Sequence, residues 1–346
     1  MSMKSMMLTG LRQMEMRDIP EPNLLRPDDV KIRMLVVGVC GSDIHYYTQG
    51  RIGSQIVSYP FTVGHEGAGV VMETGASVKR VRPGNIIAID PAMPCHKCDQ
   101  CLSGRHHTCR NLRFLGCPGQ ADGCLSEYIV MPEENCFPLH KKLTADHGVI
   151  SEPLAIGVYS VNNSVPLKDA RIGILGFGPI GMSVMLAGKA AGTKTFYITD
   201  KLDPRLNIAK KEGAMITANP VKEDIVGMIL DKEPLGVDVV FECCGQQEAF
   251  DQAIELLKPG GKLIVAGIPE FDTWQMSVEK TRRKEIRVQF IRRQVKCVER
   301  SLELMWKGEI DISNMITHRF RFEQTKEAFD LVAGYRDGVM KAMIDF

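Results

Sequence analysis

Hydrophobic positions along the chain fall into two textures. From about residue 31 to residue 90, short apolar segments such as VKIRMLVVGVC, GAGVVMETG and GNIIAID are broken by Gly and Pro, as expected of strands joined by turns. This stretch predicts a glycine-rich, mostly β domain. Between residues 170 and 267 apolar strands alternate with amphipathic segments: RIGILGFG, PIGMSVMLAGKAAG, TFYITD, LDPRLNIAKKEG, GVDVVFECCG, EAFDQAIELLKPGG and KLIVAGI. Such alternation predicts a parallel sheet with helical crossovers. After Ile286, helical stretches (VERSLELMWKG, TKEAFDLVAG) lead to a closing strand, VMKAMIDF. There is no internal repeat and no low-complexity linker.

Composition narrows the class of function. A length of 346 residues suggests two domains, and 44% hydrophobic with 25% charged residues is an ordinary globular balance. Lys and Arg number 43 against 42 Asp and Glu, net +1, so no overall field draws nucleic acid, an anionic membrane or an acidic partner. The first ten residues lack the apolar core of a secretory signal, and a cytoplasmic location is expected. The longest uncharged run, 172–188, holds five Gly and one Pro and reads as strand, turn and helix rather than a membrane span. Four of the eleven Cys crowd into fifteen residues, which in a reducing compartment points to metal rather than disulfides.

The fingerprint Gly176-Phe177-Gly178-Pro179-Ile180-Gly181 follows a predicted strand and opens a predicted helix, and Asp200 closes the next strand 19 residues after Gly181. That context is the one a dinucleotide requires. Gly176 permits the tight turn, Gly178 lets backbone N–H groups approach a pyrophosphate, and Gly181 lets helix and strand pack closely. Asp200 would accept from the ribose hydroxyls and repel a 2′-phosphate, so the expected coenzyme is NAD. The cations Lys201 and Arg205 keep NADP open, and a ligand-free glycine turn is the plain alternative.

Cys95, Cys98, Cys101 and Cys109 form C-x2-C-x2-C-x7-C, and four thiolates close a tetrahedral shell around Zn²⁺ with no open position. Such a site is structural; an iron–sulfur cluster or a disulfide pair competes with it. Lys97, Arg105 and Arg110 are available to offset the excess negative charge. His96, His106 and His107 are read as solvated loop residues. A looser set comprises Cys40, Gly64-His65-Glu66 and Ser151-Glu152-Pro153. One thiolate, one imidazole and a carboxylate make a mixed shell that can leave a Zn²⁺ position open for chemistry.

With these motifs in view, the sequence resembles the medium-chain zinc-dependent alcohol dehydrogenases, and within them the sorbitol (polyol) dehydrogenase branch. The motifs are CGSDIHYY at 40–47, GHEGAG at 64–69, the four-Cys lobe, SEPLAIG at 151–157, GFGPIG and ITHRF. The resemblance implies an α/β architecture: a GroES-like, mostly β catalytic domain (1–155 and 286–346, with the zinc lobe at 91–112) and a doubly wound Rossmann domain (156–285) that binds NAD. It places the active site in a cleft between them. It further implies that Cys40, His65 and Glu66 bind catalytic zinc, and that Glu152 is a ligand or a partner of zinc-bound water. Ser42 would pass the alcohol proton outward with His45 as the next step, and Tyr46 would line the polyol pocket. Gly176, Gly178, Pro179, Ile180, Gly181, Asp200 and Arg205 would hold the coenzyme. The branch has F-R-Y where this chain has Ile291-Arg292-Arg293; Arg292 keeps the substrate-facing role while Arg293 replaces an aromatic. Two adjacent guanidinium groups would favour a carboxylate or a dense set of hydroxyls, unless strand alternation turns one of them to solvent.

The reaction implied is oxidation of a secondary alcohol, sorbitol-like, to a ketone with hydride transfer to NAD⁺, one catalytic and one structural Zn²⁺ per chain, and a homotetramer or homodimer. A sugar acid, an inositol or a threonine-like substrate is the alternative. A metal-free nicotinamide reductase and a zinc-binding interaction protein are more distant.

Overall fold

The computed structural model describes residues 2–346, and the chain divides into two units: one of residues up to Glu152 with Met305–Gly308 and Ile316–Phe346, the other of Pro153–Leu304 with Glu309–Met315. No helix among the described residues is long and apolar enough to cross a membrane.

The first unit opens with an antiparallel hairpin, β1 (Ser2–Gly10) and β2 (Gln13–Pro20). Its spine is β3 (Asp29–Gly38), whose near-continuous apolar run is buried on both faces. Lys31 is the polar intruder on that run, and Glu21 meets its ammonium at 2.7 Å. After β3 come helix α1 (Gly41–Gln49), the short hairpin β4 (Arg51–Ile52) and β5 (Gln55–Ile56), then β6 (Glu66–Thr74) and β7 (Ile86–Ile89). The strands β8 (Ala92–Met93) and β9 (Arg113–Phe114) pair at the neck of the cysteine lobe, which contains α2 (Asp99–Leu102). Strands β10 (Tyr128–Pro132) and β11 (Cys136–Pro138) follow. Leu8, Ile32, Met34, Val37, Val63, Ile87 and Leu125 fill the core.

Helix α3 (Ala145–Asn162) leads into the second unit. There strands and helices alternate: β12 (Arg171–Leu175), α4 (Pro179–Ala190), β13 (Thr195–Thr199), α5 (Asp203–Lys211), β14 (Ile216–Ala218), α6 (Ile225–Lys232), β15 (Val237–Glu242), α7 (Gln247–Leu256), β16 (Leu257–Val265), α8 (Val278–Arg283), β17 (Arg287–Phe290) and α9 (Val298–Trp306). The sheet is parallel throughout, in the order β14-β13-β12-β15-β16-β17. Its order reverses between β12 and β15, the switch point at which α/β sheets bind ligands. β18 (Ile316–Arg321), α10 (Thr325–Ala333) and β19 (Lys341–Asp345) return to the first unit. Its large sheet then runs β11-β7-β6-β3-β19-β18, with β10 also on β3.

The boundary expected at 285/286 differs from the observed one. β17 adds to β16 in parallel, Lys262 opposite Arg287 through Val265 opposite Phe290. The second unit therefore continues to Leu304.

Candidate functional site

The end of β3 delivers Cys40 to the start of α1, and the strand entry at β6 delivers His65 and Glu66. Their ligand atoms all lie within 4.8 Å of one another. A Zn²⁺ shell with bonds of roughly 2.0 to 2.3 Å needs a similar spread of donors, and thiolate, imidazole and carboxylate are the donor types zinc takes. The residues fit the metal.

One carboxylate ties the two segments together. Asp43 Oδ2 accepts from the Cys40 N–H at 3.4 Å, and Oδ1 accepts from the Gly64 N–H at 3.2 Å and stands 3.4 Å from His65 Nδ1. With Nδ1 directed to Asp43, Nε2 is the ring nitrogen turned to a metal, an outer-shell arrangement that fixes tautomer and orientation. Burial works against a charged His65 ring, but Asp43 and Cys40 hold its pKa well above the usual value. The Phe114 ring packs 5.4 Å from it.

Glu66 has a partner that motif reading did not supply. Lys341 on β19 is 1% exposed, and its Nζ donates to both Glu66 oxygens at 2.7 and 2.6 Å and to the Val39 carbonyl at 3.1 Å. Burial lowers the Lys341 pKa, yet Glu66 and Cys40 bring it out above the ordinary value. A Cβ on Gly38 would collide with the Glu66 carboxylate, so β3 makes room for the pair. Lys341 also offsets the negative charge that a thiolate and a carboxylate bring to the cluster. Glu152 is buried and lies outside the 4.8 Å cluster. Burial pushes its carboxyl up to about 7, with His65 lowering and Glu66 raising it.

Ser42 and His45 share one face of α1 at a spacing of three, and both are half-buried. Ser42 Oγ donates to Cys40 Sγ at 3.3 Å. Tyr46, a turn further on, is buried and donates to Gln55 Oε1 at 3.2 Å.

In the lobe, the four sulfurs of Cys95, Cys98, Cys101 and Cys109 lie within 4.8 Å of one another, and all eleven cysteines are free thiols. Four soft donors without an open carboxylate fit a closed zinc shell. The backbone N–H of Lys97 lowers the Cys95 thiol to about 6, while burial pushes Cys101 up to about 12. Of the expected counter-charges, Arg110 is engaged by Asp99 through a two-point pair at 2.5 and 2.9 Å, and Arg105 donates to Gln100 Oε1 at 3.2 Å. His96 is exposed and meets Glu134 at 2.8 Å. His107, by contrast, is buried rather than solvated, because the 3₁₀ turn His106–Thr108 tucks it inward.

In the second unit, Gly176 has φ +94°, and a Cβ there would fall 2.7 Å from Cys244 Cβ; a Cβ on Gly181 would collide with the Gly176 carbonyl. Gly178 caps α4, with Pro179 in its first turn. Asp200 Oδ2 accepts from the Phe177 N–H at 2.7 Å and Oδ1 from the Leu202 N–H at 2.8 Å, so the acidic residue is braced against the fingerprint turn. Arg205 is buried, 3.9 Å from Asp200, and its Nη1 lies 3.2 Å from where a Gly178 Cβ would be. A helix N-terminus opened by glycines and flanked by a carboxylate fits a dinucleotide. Lys201 is exposed and 3.8 Å from Glu248. Across the switch point, Glu242 is fully buried and its Oε1 accepts from the N–H groups of Cys244 and Gly245. The FECCG segment was its only sequence signal.

Arg292 and Arg293 do not lie on a strand. β17 ends at Phe290, Arg292 is exposed, and Arg293 is half-buried in the left-handed region with φ +57°. Strand alternation therefore does not govern which way they face.

Two family models match: the alcohol dehydrogenase GroES-like domain over residues 26–141 and the zinc-binding dehydrogenase domain over 179–307. The chain is 31% identical over 344 residues to sorbitol dehydrogenase of Bacillus subtilis, covering 99% of this chain and 97% of that protein. It is 33% identical over 335 residues to L-idonate 5-dehydrogenase of Vitis vinifera, covering 94% and 90%. The crystal structure of 2R,3R-butanediol dehydrogenase from Bacillus subtilis superposes with a TM-score of 0.90 at 28% identity, covering 99% of each chain. The chain belongs to the zinc-dependent alcohol dehydrogenase family, oxidoreductases that use zinc and a nicotinamide dinucleotide.

Proposed function

We propose that the protein oxidises a secondary alcohol of the neutral polyol type, sorbitol-like, to the corresponding ketone with NAD⁺. The observation that carries this reading is the Cys40–His65–Glu66 cluster, in a chain that also holds a fingerprint turn braced by Asp200. The relative named for sorbitol supports this substrate class, and the one named for L-idonate, a sugar acid, supports the alternative. The first unit would hold both metals and the alcohol, the second the coenzyme.

Zinc bound by Cys40, His65 and Glu66 would supply Lewis acidity to an alcohol hydroxyl, and NAD⁺ would accept the hydride. The chain's own residues do the rest. Asp43 holds the His65 ring through Nδ1. Lys341 pairs with both oxygens of Glu66 and limits the negative charge around the reacting oxygen. Ser42 Oγ, which donates to Cys40 Sγ, turns about χ1 to take the alcohol proton and pass it toward His45 on the same helix face. Glu152, with its carboxyl raised by burial, serves as a ligand or as a proton-holding neighbour. Asp200 selects NAD by accepting from the ribose hydroxyls, with Arg205 beside it. The lobe metal is structural.

The open edge of β17, with Phe290 exposed, supports a homodimer or homotetramer, and eleven free thiols support a cytoplasmic setting. Purified protein should carry up to two zinc ions per chain, one for each cluster, and reduce NAD⁺ with sorbitol or xylitol, read by NADH absorbance. Zinc-loaded protein that reduces NAD⁺ with no secondary alcohol would refute the reading.

A further inference from the structure

Glu242 ends β15 at the switch point of the parallel sheet and takes no part in the reaction above, yet three turns at that point meet on it. It is 0% exposed. Its side-chain Oε1 accepts from the N–H groups of Cys244 at 2.9 Å and Gly245 at 2.6 Å, and from the Cys244 thiol at 3.1 Å. Its backbone carbonyl accepts from the N–H groups of Ala266 at 2.8 Å and Gly267 at 3.0 Å, just after β16. The next residue, Cys243, donates its N–H to the Leu175 carbonyl at 2.8 Å, immediately before the fingerprint turn, and a Cβ on Gly176 would fall 2.7 Å from Cys244 Cβ. Gly245, at φ +68°, would carry a Cβ only 2.4 Å from the Ile268 carbonyl oxygen. One buried acid therefore ties the turn after β15 to the loop after β16, and both stand against the fingerprint turn.

The two carboxyl oxygens are treated unequally. Oε1 gathers three donors, whereas Oε2 is buried with none and lies 2.5 Å from where a Gly267 Cβ would be. An ionised carboxylate spreads its charge over both oxygens, and leaving one of them bare in a dry site costs far more than leaving a neutral hydroxyl there. A neutral acid, with its carbonyl at Oε1 and its hydroxyl at Oε2, matches the donors present. In the same sense, burial pushes the Glu242 carboxyl above its ordinary value despite the donors from Cys244, Gly245 and Gln246. Each half of a doubly wound sheet takes one mononucleotide. Asp200 follows β13, in the half β14-β13-β12 that would receive the adenosine ribose, so the half that starts with β15 receives the nicotinamide nucleotide. We propose that Glu242 is a positioning residue for the nicotinamide half of the coenzyme, an uncharged clamp that holds the turn after β15 and the loop after β16 in place beside the fingerprint turn. The proposal rests on the NAD reading above and deepens it.

The test titrates zinc-loaded protein with NADH, followed by its fluorescence, and with AMP, followed by calorimetry, because AMP fills the adenosine half alone. Glu242→Leu takes the Oε1 acceptor from the Cys244 and Gly245 N–H groups, and the NADH dissociation constant rises by about tenfold while that of AMP stays within about twofold. In turnover the same variant raises KM for NAD⁺ more than it lowers kcat. Glu242→Gln keeps an acceptor at Oε1 without a charge, so both constants stay within about twofold of wild type. If Glu242→Leu fails to fold, Glu242→Asp carries the same comparison, because a side chain one methylene shorter draws the acceptor away from the Gly245 N–H. A folded variant with unchanged NADH affinity, or with AMP and NADH weakened equally, overturns the proposal alone, and so does a Glu242→Gln protein that behaves like Glu242→Leu. A wild type that does not bind NADH overturns the coenzyme reading and this proposal with it.

Discussion

Replacing Lys341 with Met removes one half of an ion pair in which both partners are 1% exposed. At an N···O separation of 2.6 Å the Coulomb attraction is about 6 kcal/mol at an effective dielectric constant of 20, most of it offset by the cost of dehydrating both groups. Loss of one partner nevertheless strands the other, and such losses cost about 3–5 kcal/mol. For a folding unit of the size of the first one, each kcal/mol moves the melting temperature by roughly 2–4 °C, so Lys341→Met should melt roughly 10 °C lower in metal-stripped protein. Glu66→Gln should cost a similar amount. The double variant should cost much less than the sum, with a coupling energy of at least about 2 kcal/mol. Zinc separates the two single variants. Bound at the cluster it supplies positive charge to Glu66, so it should recover more of the stability lost in Lys341→Met than of that lost in Glu66→Gln. Calorimetry of the four proteins with and without zinc measures all of this. Additive single costs, or equal recovery of both variants by zinc, would refute the argument that Lys341 acts as the carboxylate's counter-charge.

Asp200→Ala should raise the NAD⁺ dissociation constant by about tenfold or more and relax discrimination against NADP⁺, measured by titration of both coenzymes, since it removes the ribose acceptor and the repulsion of a 2′-phosphate; a wild type that already prefers NADP⁺ would contradict it. Cys101→Ser should lower bound zinc by one ion per chain and lower the melting temperature, while turnover per remaining zinc stays near wild type; an intact, stable variant with lost turnover would place the lobe in the chemistry. Burial pushes the Asp29 carboxyl up, but the N–H groups of Leu25 and Arg26 and the Arg26 side chain bring it below its ordinary 3.8. Its stabilising contribution is therefore complete above that value and lost as the pH falls through the lower, folded-state value. Asp29→Asn should destabilise the protein at neutral pH, and the gap should close in acid, as followed by denaturant melts across the range.

What the sequence made legible was whatever is local. The fingerprint turn needs only adjacent glycines and an acid one strand later, and the four-Cys spacing brings its own donors together, so both could be read directly from the chain. Asp43 was hidden in plain sight within CGSDIHYY, because its acceptor role depends on Gly64 and His65, more than twenty residues away and on another segment. Lys341 was harder still: a lysine in a closing strand reads as solvated, and only the pairing of β19 with β3 brings it beside Glu66. Strand alternation does not apply to the two arginines after β17 for a related reason. The strand stops two residues earlier than alternation required, and a left-handed turn at Arg293 then sets the direction of the chain.

The bracing of Cys40, Gly64 and His65 by Asp43 also bears on metal exchange. A cluster whose backbone is already tied together presents its donors without first having to order them. Which ion occupies it is then decided by donor softness and by supply rather than by folding. Thiolate, imidazole and carboxylate together should accept Co²⁺ in place of Zn²⁺. The visible absorption of such a cobalt form would report directly on the shell around the substrate, which zinc, with its filled d shell, cannot do.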